Sequence, residues 1–345
     1  MSASSSASAG SFGRKIKWLA LVVVTVIVLI VAAWFIGAHI YRGAINEGRA
    51  ALARDGVTLA CAEEELAGFP ARFEWRCSSL SVTLANGAEI SGGAFNTLSP
   101  IWNPLFAIAE WTGPFRSVSA NGFDADISSD LLRASIRMTT SLELERLSAV
   151  LDPFAISLQG APQAIASGEQ AEMHVRQPEN ASQANGDADL EVALVLFGLE
   201  SLFLGGVDRI DTSFTATLEE LANVRARSLQ DGIRNWVARS GAVTPLAWRV
   251  RLDEHGINLD GNATLGIDGL IDFDGTIATN DVAALVDLIG IDSSNGAAAI
   301  TAGATLFGRR VQHADMTMTE LPLRVSRNAV SIGPVPLGVL PPLQF

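Results

Sequence analysis

The stretch from Trp18 to Ile40 constrains this chain most: 23 residues without one Asp, Glu, Lys or Arg. A helix rises about 1.5 Å per residue, so roughly 20 apolar residues cross the hydrocarbon core of a bilayer. Arg14, Lys15 and Lys17 precede the stretch, and no acid comes before Glu47. Cations stay on the cytoplasmic side, so the sequence predicts a single-pass anchor over 16–41, its N-terminus inside and the rest of the chain outside. Trp18, Trp34 and Tyr41 lie near the two ends, where amphipathic rings favour the interface. The alternative is a cleaved signal peptide, whose apolar region runs about 7–15 residues before a small-x-small site. Here the run is longer, and bulky Trp34, Phe35 and Ile36 follow the small pair Ala32-Ala33.

Charge is distributed unevenly around that anchor. Setting Arg14, Lys15 and Lys17 aside leaves 21 cations against 37 acids, a net charge of −16 for the outer part. Such acidity argues against nucleic acid, which is bound through cation–phosphate contacts, and against electrostatic adhesion to anionic lipid. It leaves open an apolar cleft for lipid.

The chain has two cysteines, Cys61 and Cys77, both beyond the anchor. In an oxidising compartment they suit a disulfide that contributes about 3 kcal/mol by loop entropy. It would tie the segment leaving the membrane to the first strand. Buried free thiols or a metal pair are the other readings. For a metal the histidines are too scattered, at His39, His174, His255 and His313, and none has ligand spacing.

Residues 1–15, opening on Ser, Ala and Gly, read as a disordered tail. Helix formers such as Ala44, Ala50, Ala51 and Leu52 predict a helical stalk over 42–60, closed by Asp55-Gly56. Beyond it, alternation dominates. Phe73, Trp75 and Cys77 alternate with Arg72, Glu74 and Arg76, and Trp248, Val250 and Leu252 with Arg249, Arg251 and Asp253. Period two marks a strand wet on one face. Asn86-Gly87 is a hairpin signal, and Asp260-Gly261, Asp268-Gly269 and Asp274-Gly275 punctuate later runs. The predicted class is mainly β (α+β): a transmembrane helix, then curved antiparallel sheet modules with a few packing helices. A polar segment, 177–188, is the expected linker between a first β-rich module (61–176) and a second (189–345). One helix is expected from Thr217, whose Thr-x-x-Glu pattern with Glu220 matches a capping box, carrying Leu218, Leu221, Leu229, Ile233, Trp236 and Val237 on one face. A second is expected over roughly 281–289, with Val282, Leu285, Val286 and Ile289 on one face. Both stripes read as core packed on the sheet, or as a lid on a lipid groove.

No nucleophile elbow, P-loop, dinucleotide fingerprint or zinc-protease helix is present, so no catalytic residue, cofactor or metal is predicted. Asp124, Asp126 and Asp130 lack the central Gly and final Glu of a calcium loop and read as a solvated turn. Asp272 and Asp274 share the polar face of a strand. Asn180-Ala181-Ser182 reads as a chance glycosylation match. Trp102, Leu105, Phe106, Ile108, Trp111 and Phe115 crowd together among prolines 100, 104 and 114 with no clean period. They predict an apolar loop that either caps a core or offers a contact surface.

Several short blocks resemble one family. Cys61, Gly68-Phe69-Pro70, Arg72 and Cys77 look like the opening signature of an uncharacterised family of bacterial single-pass envelope proteins. Asn103-Pro104, Ile108-Ala109-Glu110 and Gly113-Pro114 are similar to its next block. Leu321-Pro322-Leu323 and Gly333-Pro334-Val335-Pro336-Leu337-Gly338 are similar to its ending. The resemblance implies an inner-membrane anchor and a long β-rich periplasmic domain, and it carries no catalytic residues. A weaker likeness, over residues 261–289, is to AsmA-like envelope proteins with a β-sheet groove implicated in outer-membrane assembly and lipid transport. Together these give a first expectation: a non-enzymatic, membrane-anchored envelope protein that binds lipid or another apolar ligand in a sheet groove. The alternatives are a protein-interaction scaffold of an envelope or secretion complex and, more remotely, a hydrolase without a recognisable motif.

Overall fold

Strands that are dry on one face must pair edge to edge and share that dry face. The chain does this almost throughout. The structure, a computed structural model, describes residues 9–119, 124–141, 143–161, 163–178, 189–202, 209–222, 224, 229–283, 294–313 and 316–344. The protein is mainly β, and its strands build a large antiparallel sheet that does not close into a barrel.

Helix α1 spans Ala9–Arg54. Part of it is long and apolar enough to cross a membrane, with a mean hydropathy of 3.2 in its most apolar window. It includes residues 9–15 of the expected tail; residues 1–8 lie outside the described part. It also stops short of the expected stalk end: Gly56 turns the chain with φ +81°, and residues 58–60 are already strand. The strands that follow are β1 (Thr58–Ala62), β2 (Glu65–Ala67), β3 (Arg72–Cys77), β4 (Ser79–Thr83), β5 (Glu89–Gly92), β6 (Phe95–Pro100), β7 (Phe106–Thr112) and β8 (Phe115–Val118). Next come β9 (Asp124–Ser128), β10 (Leu131–Met138), β11 (Leu144–Leu151), β12 (Phe154–Leu158), β13 (Ala164–Gly168), β14 (Gln170–Arg176), β15 (Leu190–Ser201) and β16 (Ile210–Leu218). Helix α2 (Leu229–Arg239) leads to β17 (Ala242–Leu252), β18 (His255–Leu265) and β19 (Ile271–Thr279). Helix α3 (Ser294–Phe307) precedes β20 (Arg309–His313), β21 (Met316–Ser326), β22 (Ala329–Ile332) and β23 (Val335–Val339).

Through β15 the sheet is folded along a crease. One flank runs β3–β6–β7–β10–β11–β14–β15. The other runs β1–β4–β5–β8–β9–β12–β13 and rejoins β15 at Ser201. Each long strand therefore passes from one flank to the other through a break: Ser78, Gly93-Ala94, Gly113-Pro114, Ser129-Asp130, Asp152-Pro153 or Glu169. Gly and Pro interrupt a ladder because one lacks a side chain to pack and the other lacks a donor. The ladder is stitched across the breaks by Gly93 N–H to Thr112 O (2.8 Å), Gly113 N–H to Asp130 O (3.1 Å) and Glu169 N–H to Phe197 O (2.9 Å). Beyond β15 a single sheet continues through β16, β17, β18, β19 and β21.

Three expectations change, and a fourth falls largely outside the described residues. Residues 177–188 do not divide the sheet, because β14 and β15 pair over seven residues on either side of them; residues 179–188, including the Asn180 match, lie outside the described part. Thr217 is in β16 rather than at a helix start. The chain there pairs with β17, and Glu220 sits at φ +59°; the helix begins at Leu229 and keeps Ile233, Trp236 and Val237. Of the helix expected at 281–289, residues 282 and 283 are helical and 284–289 are not described. Residues 102–115 are not one loop: Phe106–Thr112 is a strand in the middle of the sheet, with Phe115 opening the next.

Candidate functional site

Side chains directly opposite each other in an antiparallel pair project from the same face. The register therefore fixes which residues share each face. Trp111, Phe115 and Gly92 identify the inside of the crease: the two rings are 5.1 Å apart. A Cβ on Gly92 would come within 2.6 Å of Trp111 Nε1 and 2.8 Å of Phe115 Cδ1.

From this reference the inner face can be followed strand by strand. Ala109 faces Ala134, then Ala149, Met173 and Leu194. The row continues through Phe214, Trp248, Leu259, Ile277 and Leu321. That is ten strands, or roughly 43 Å at about 4.8 Å per strand, with no polar side chain. A parallel row one pleat away runs through Ala107, Ile136, Leu147, Val175 and Val192. It then passes Ala216, Leu246, Gly261, Gly275 and Leu323, again with no polar group. In the opposite flank Leu80, Val82, Ile90, Phe115, Ile127 and Phe154 turn inward. The outer face is different. It carries Arg133, Arg137, Arg146, Glu172, His174, Glu191 and Arg249.

Helices cover the two ends of this apolar face. At the first, α1 crosses β3 and β6. Trp34, Ala38 and Phe73 form a buried cluster with Tyr41, Leu66 and Ile101. Trp34 Nε1 donates to Arg72 O at 3.1 Å, and the Tyr41 ring stacks on Phe73 at 5.3 Å. Positions 34, 38, 41 and 45 recur at helical spacing, which is why one stripe of α1 can pack there. At the far end Ile300 of α3 is fully buried against Ile277, Leu321 and Ile332. Between the covered ends the floor is open: Met173, Leu194 and Trp248 are 38, 43 and 45% exposed. Large apolar side chains left in a row at this exposure mark a contact surface.

The six predicted contact residues are dispersed. Trp111 and Phe115 point into the crease; Phe106 and Ile108 belong to the outer face of β7, with Arg137 5.8 Å over the Phe106 ring. Leu105 lies in the turn before β7, and Trp102 projects from the β6 end, 75% exposed. Cys61 and Cys77 form a disulfide, Cα atoms 5.4 Å apart. Asp124 and Asp126 are on β9, where Asp124 lies 3.7 Å from Arg116. Asp272 accepts the Arg327 N–H at 3.0 Å and Asp274 pairs with Arg324 at 2.7 Å. A hollow of about 370 Å³ on the outer face is lined by Arg146, His174, Arg176 and Glu191 among others. There His174 bonds Glu172 at 2.8 Å and Arg176 pairs with Glu191. Sequence reading expected an apolar sheet groove but did not name the residues of the inner face. Its local signal was present in every alternating run, but which runs align is a property of the pairing.

No curated protein and no solved structure matches the chain. A family model does match, over residues 34–341: DUF2125, an uncharacterized protein conserved in bacteria. The match runs from Trp34, where α1 first packs on the sheet, to within a few residues of the end, so the chain belongs to that family.

Proposed function

We propose that this is a non-enzymatic, membrane-anchored envelope protein of the periplasmic side whose inner sheet face binds the acyl chains of lipid. The observation that carries the reading is the pair of uninterrupted apolar rows, open in the middle at Met173, Leu194 and Trp248. An acyl chain needs a long apolar surface without donors or acceptors, because each unpaired polar group buried beneath it costs on the order of 1–3 kcal/mol. The two rows meet that need, with the Trp248 Nε1–H already donated to Thr212 Oγ1 at 2.9 Å, and their length of roughly 43 Å exceeds one extended chain. α1 supplies the anchor, and the positive residues before it favour a cytoplasmic N-terminus. The acidity of the outer part argues against nucleic acid as a partner.

Full-length protein extracted with its surrounding lipid and then stripped to detergent should retain phospholipid detectable by mass spectrometry. Leu194→Asp, on the open floor, should lower retention on the order of tenfold, since a carboxylate there would be desolvated by the chain. Ala193→Asp projects from the outer face and should leave retention unchanged. Equal retention in both variants would remove the inner face from consideration. Recovery of a stoichiometric protein partner with no enriched lipid would favour a scaffold instead.

A further inference from the structure

The rim of the sheet next to α1 carries a second apolar feature that the inner face does not use. Phe69 and Pro70 form the turn before β3, and Ile101 and Trp102 follow β6. The two turns are neighbours: Arg72 pairs with Pro100, and Ile101 N–H donates to Ala71 O at 3.1 Å. Phe69 is 53% exposed and Trp102 75% exposed, although both are bulky.

Their depth follows from the helix that Phe69 and Ile101 touch. The charge-free run begins at Trp18, directly after Lys17. At about 1.5 Å per residue, a hydrocarbon core of about 30 Å that starts there ends near Gly37. Trp34 is then about 5 Å inside the outer boundary. The Phe69 ring meets Trp34 edge-on at 5.5 Å, and Phe73 lies 6.2 Å from it. The sheet rim is thus held at the level of the outer interface by direct contact with the span. A tryptophan ring, apolar in its body with one N–H, is suited to that depth.

We propose that Phe69-Pro70 and Ile101-Trp102 form a collar seated in the outer interface of the same bilayer that α1 crosses, so that the sheet rests on the lipid rather than standing off it on a stalk. The occupant of this surface is phospholipid, bound through apolar insertion. The net charge of −16 beyond the anchor gives no electrostatic attraction to anionic headgroups. The proposal rests on α1 spanning the membrane, and not on carriage of acyl chains along the inner face.

The test uses the full chain in phosphatidylcholine nanodiscs, with an environment-sensitive fluorophore on one introduced cysteine at a time and the Cys61–Cys77 disulfide intact. Phe69→Cys and Trp102→Cys report the collar, Val26→Cys the middle of the span and Arg309→Cys a site on β20. Lipids carrying a nitroxide high on the acyl chain should quench positions 69 and 102 on the order of twofold more than position 309. A nitroxide near the chain end should quench position 26 most. Quenching at 26 with none at 69 and 102 overturns the collar while leaving the anchor intact. Absence of quenching at all of 26, 69 and 102 overturns both.

Discussion

Phe73 shows how much one side chain settles. Its ring fills the space above Gly37, where a Cβ would come within 2.6 Å of Phe73 Cζ. Gly43, on the same helix, has nothing within 4 Å of an added Cβ. Gly37→Val should therefore cost about 1–3 kcal/mol by overpacking, read as a lower melting temperature and easier proteolysis after Arg54. Gly43→Ala should be neutral or stabilising by up to about 1 kcal/mol through helix propensity. Equal effects of the two would mean that α1 does not pack on β3. Period-two reading placed Phe73, Trp75 and Cys77 on the dry side, and they are buried. It placed Glu74 on the wet side, yet Glu74 is 2% exposed. Arg72 and Arg76 flank it on the same strand face and both pair with it. Their stems cover the carboxylate while their own heads stay about half exposed. Alternation predicts the direction in which a side chain points. It does not predict whether long neighbours will fold over a short one.

At the scale of elements, legibility depended on how local the signal was. The Asn86-Gly87 hairpin is as read: Gly87 sits at φ +82° and Leu84 N–H donates to Ala88 O at 2.7 Å. Helix α2 was misplaced at its start because Thr217 and Glu220 imitate a capping box within a residue stretch that β17 claims by pairing. Helix α3 was missed. Its run of Gly, Ala and Thr has no strong apolar stripe, and its position is set where Ile300, with Ala304 beside it, reaches into the far end of the floor. Ile300→Ala should accordingly cost about 2–5 kcal/mol, since the side chain is wholly enclosed. Denaturant unfolding with a lower midpoint and unchanged slope would measure it; a loss under about 0.5 kcal/mol would mean α3 is only loosely applied. A related close fit lies on β18 and on β19, the strand that carries Ile277. Gly261 and Gly275 face each other, and the Phe273 ring lies over both: an added Cβ at either would meet Phe273 Cζ at 2.6 or 2.7 Å. The Asp-Gly pairs were legible as turns, and two of these glycines are instead mid-strand seats for an aromatic ring.

For the whole molecule, topology and covalent chemistry can be tested against each other. Cations before the anchor and the first acid at Glu47 predict that everything after α1 is exported. A disulfide persists in an oxidising compartment and is rare in the cytosol. The state of the Cys61–Cys77 bond in cells is therefore a test of the proposed orientation that is independent of the charge pattern. A phosphatase that folds only outside the cytoplasm, fused after Phe345, should be active, and a fluorescent reporter that folds only inside should be dark. In cells the two thiols should be blocked from alkylation until a reductant is added. Replacing both cysteines with Ala should lower stability by about 3 kcal/mol, because the 16-residue separation no longer limits the unfolded chain. If the fusion were inactive and the thiols free, the chain would be oriented the other way. The open sheet would then face the cytoplasm, and the proposed lipid binding would draw on the inner leaflet. If the fusion were active but the thiols free, export would stand and the bond joining β1 to β3 would be dispensable to the fold.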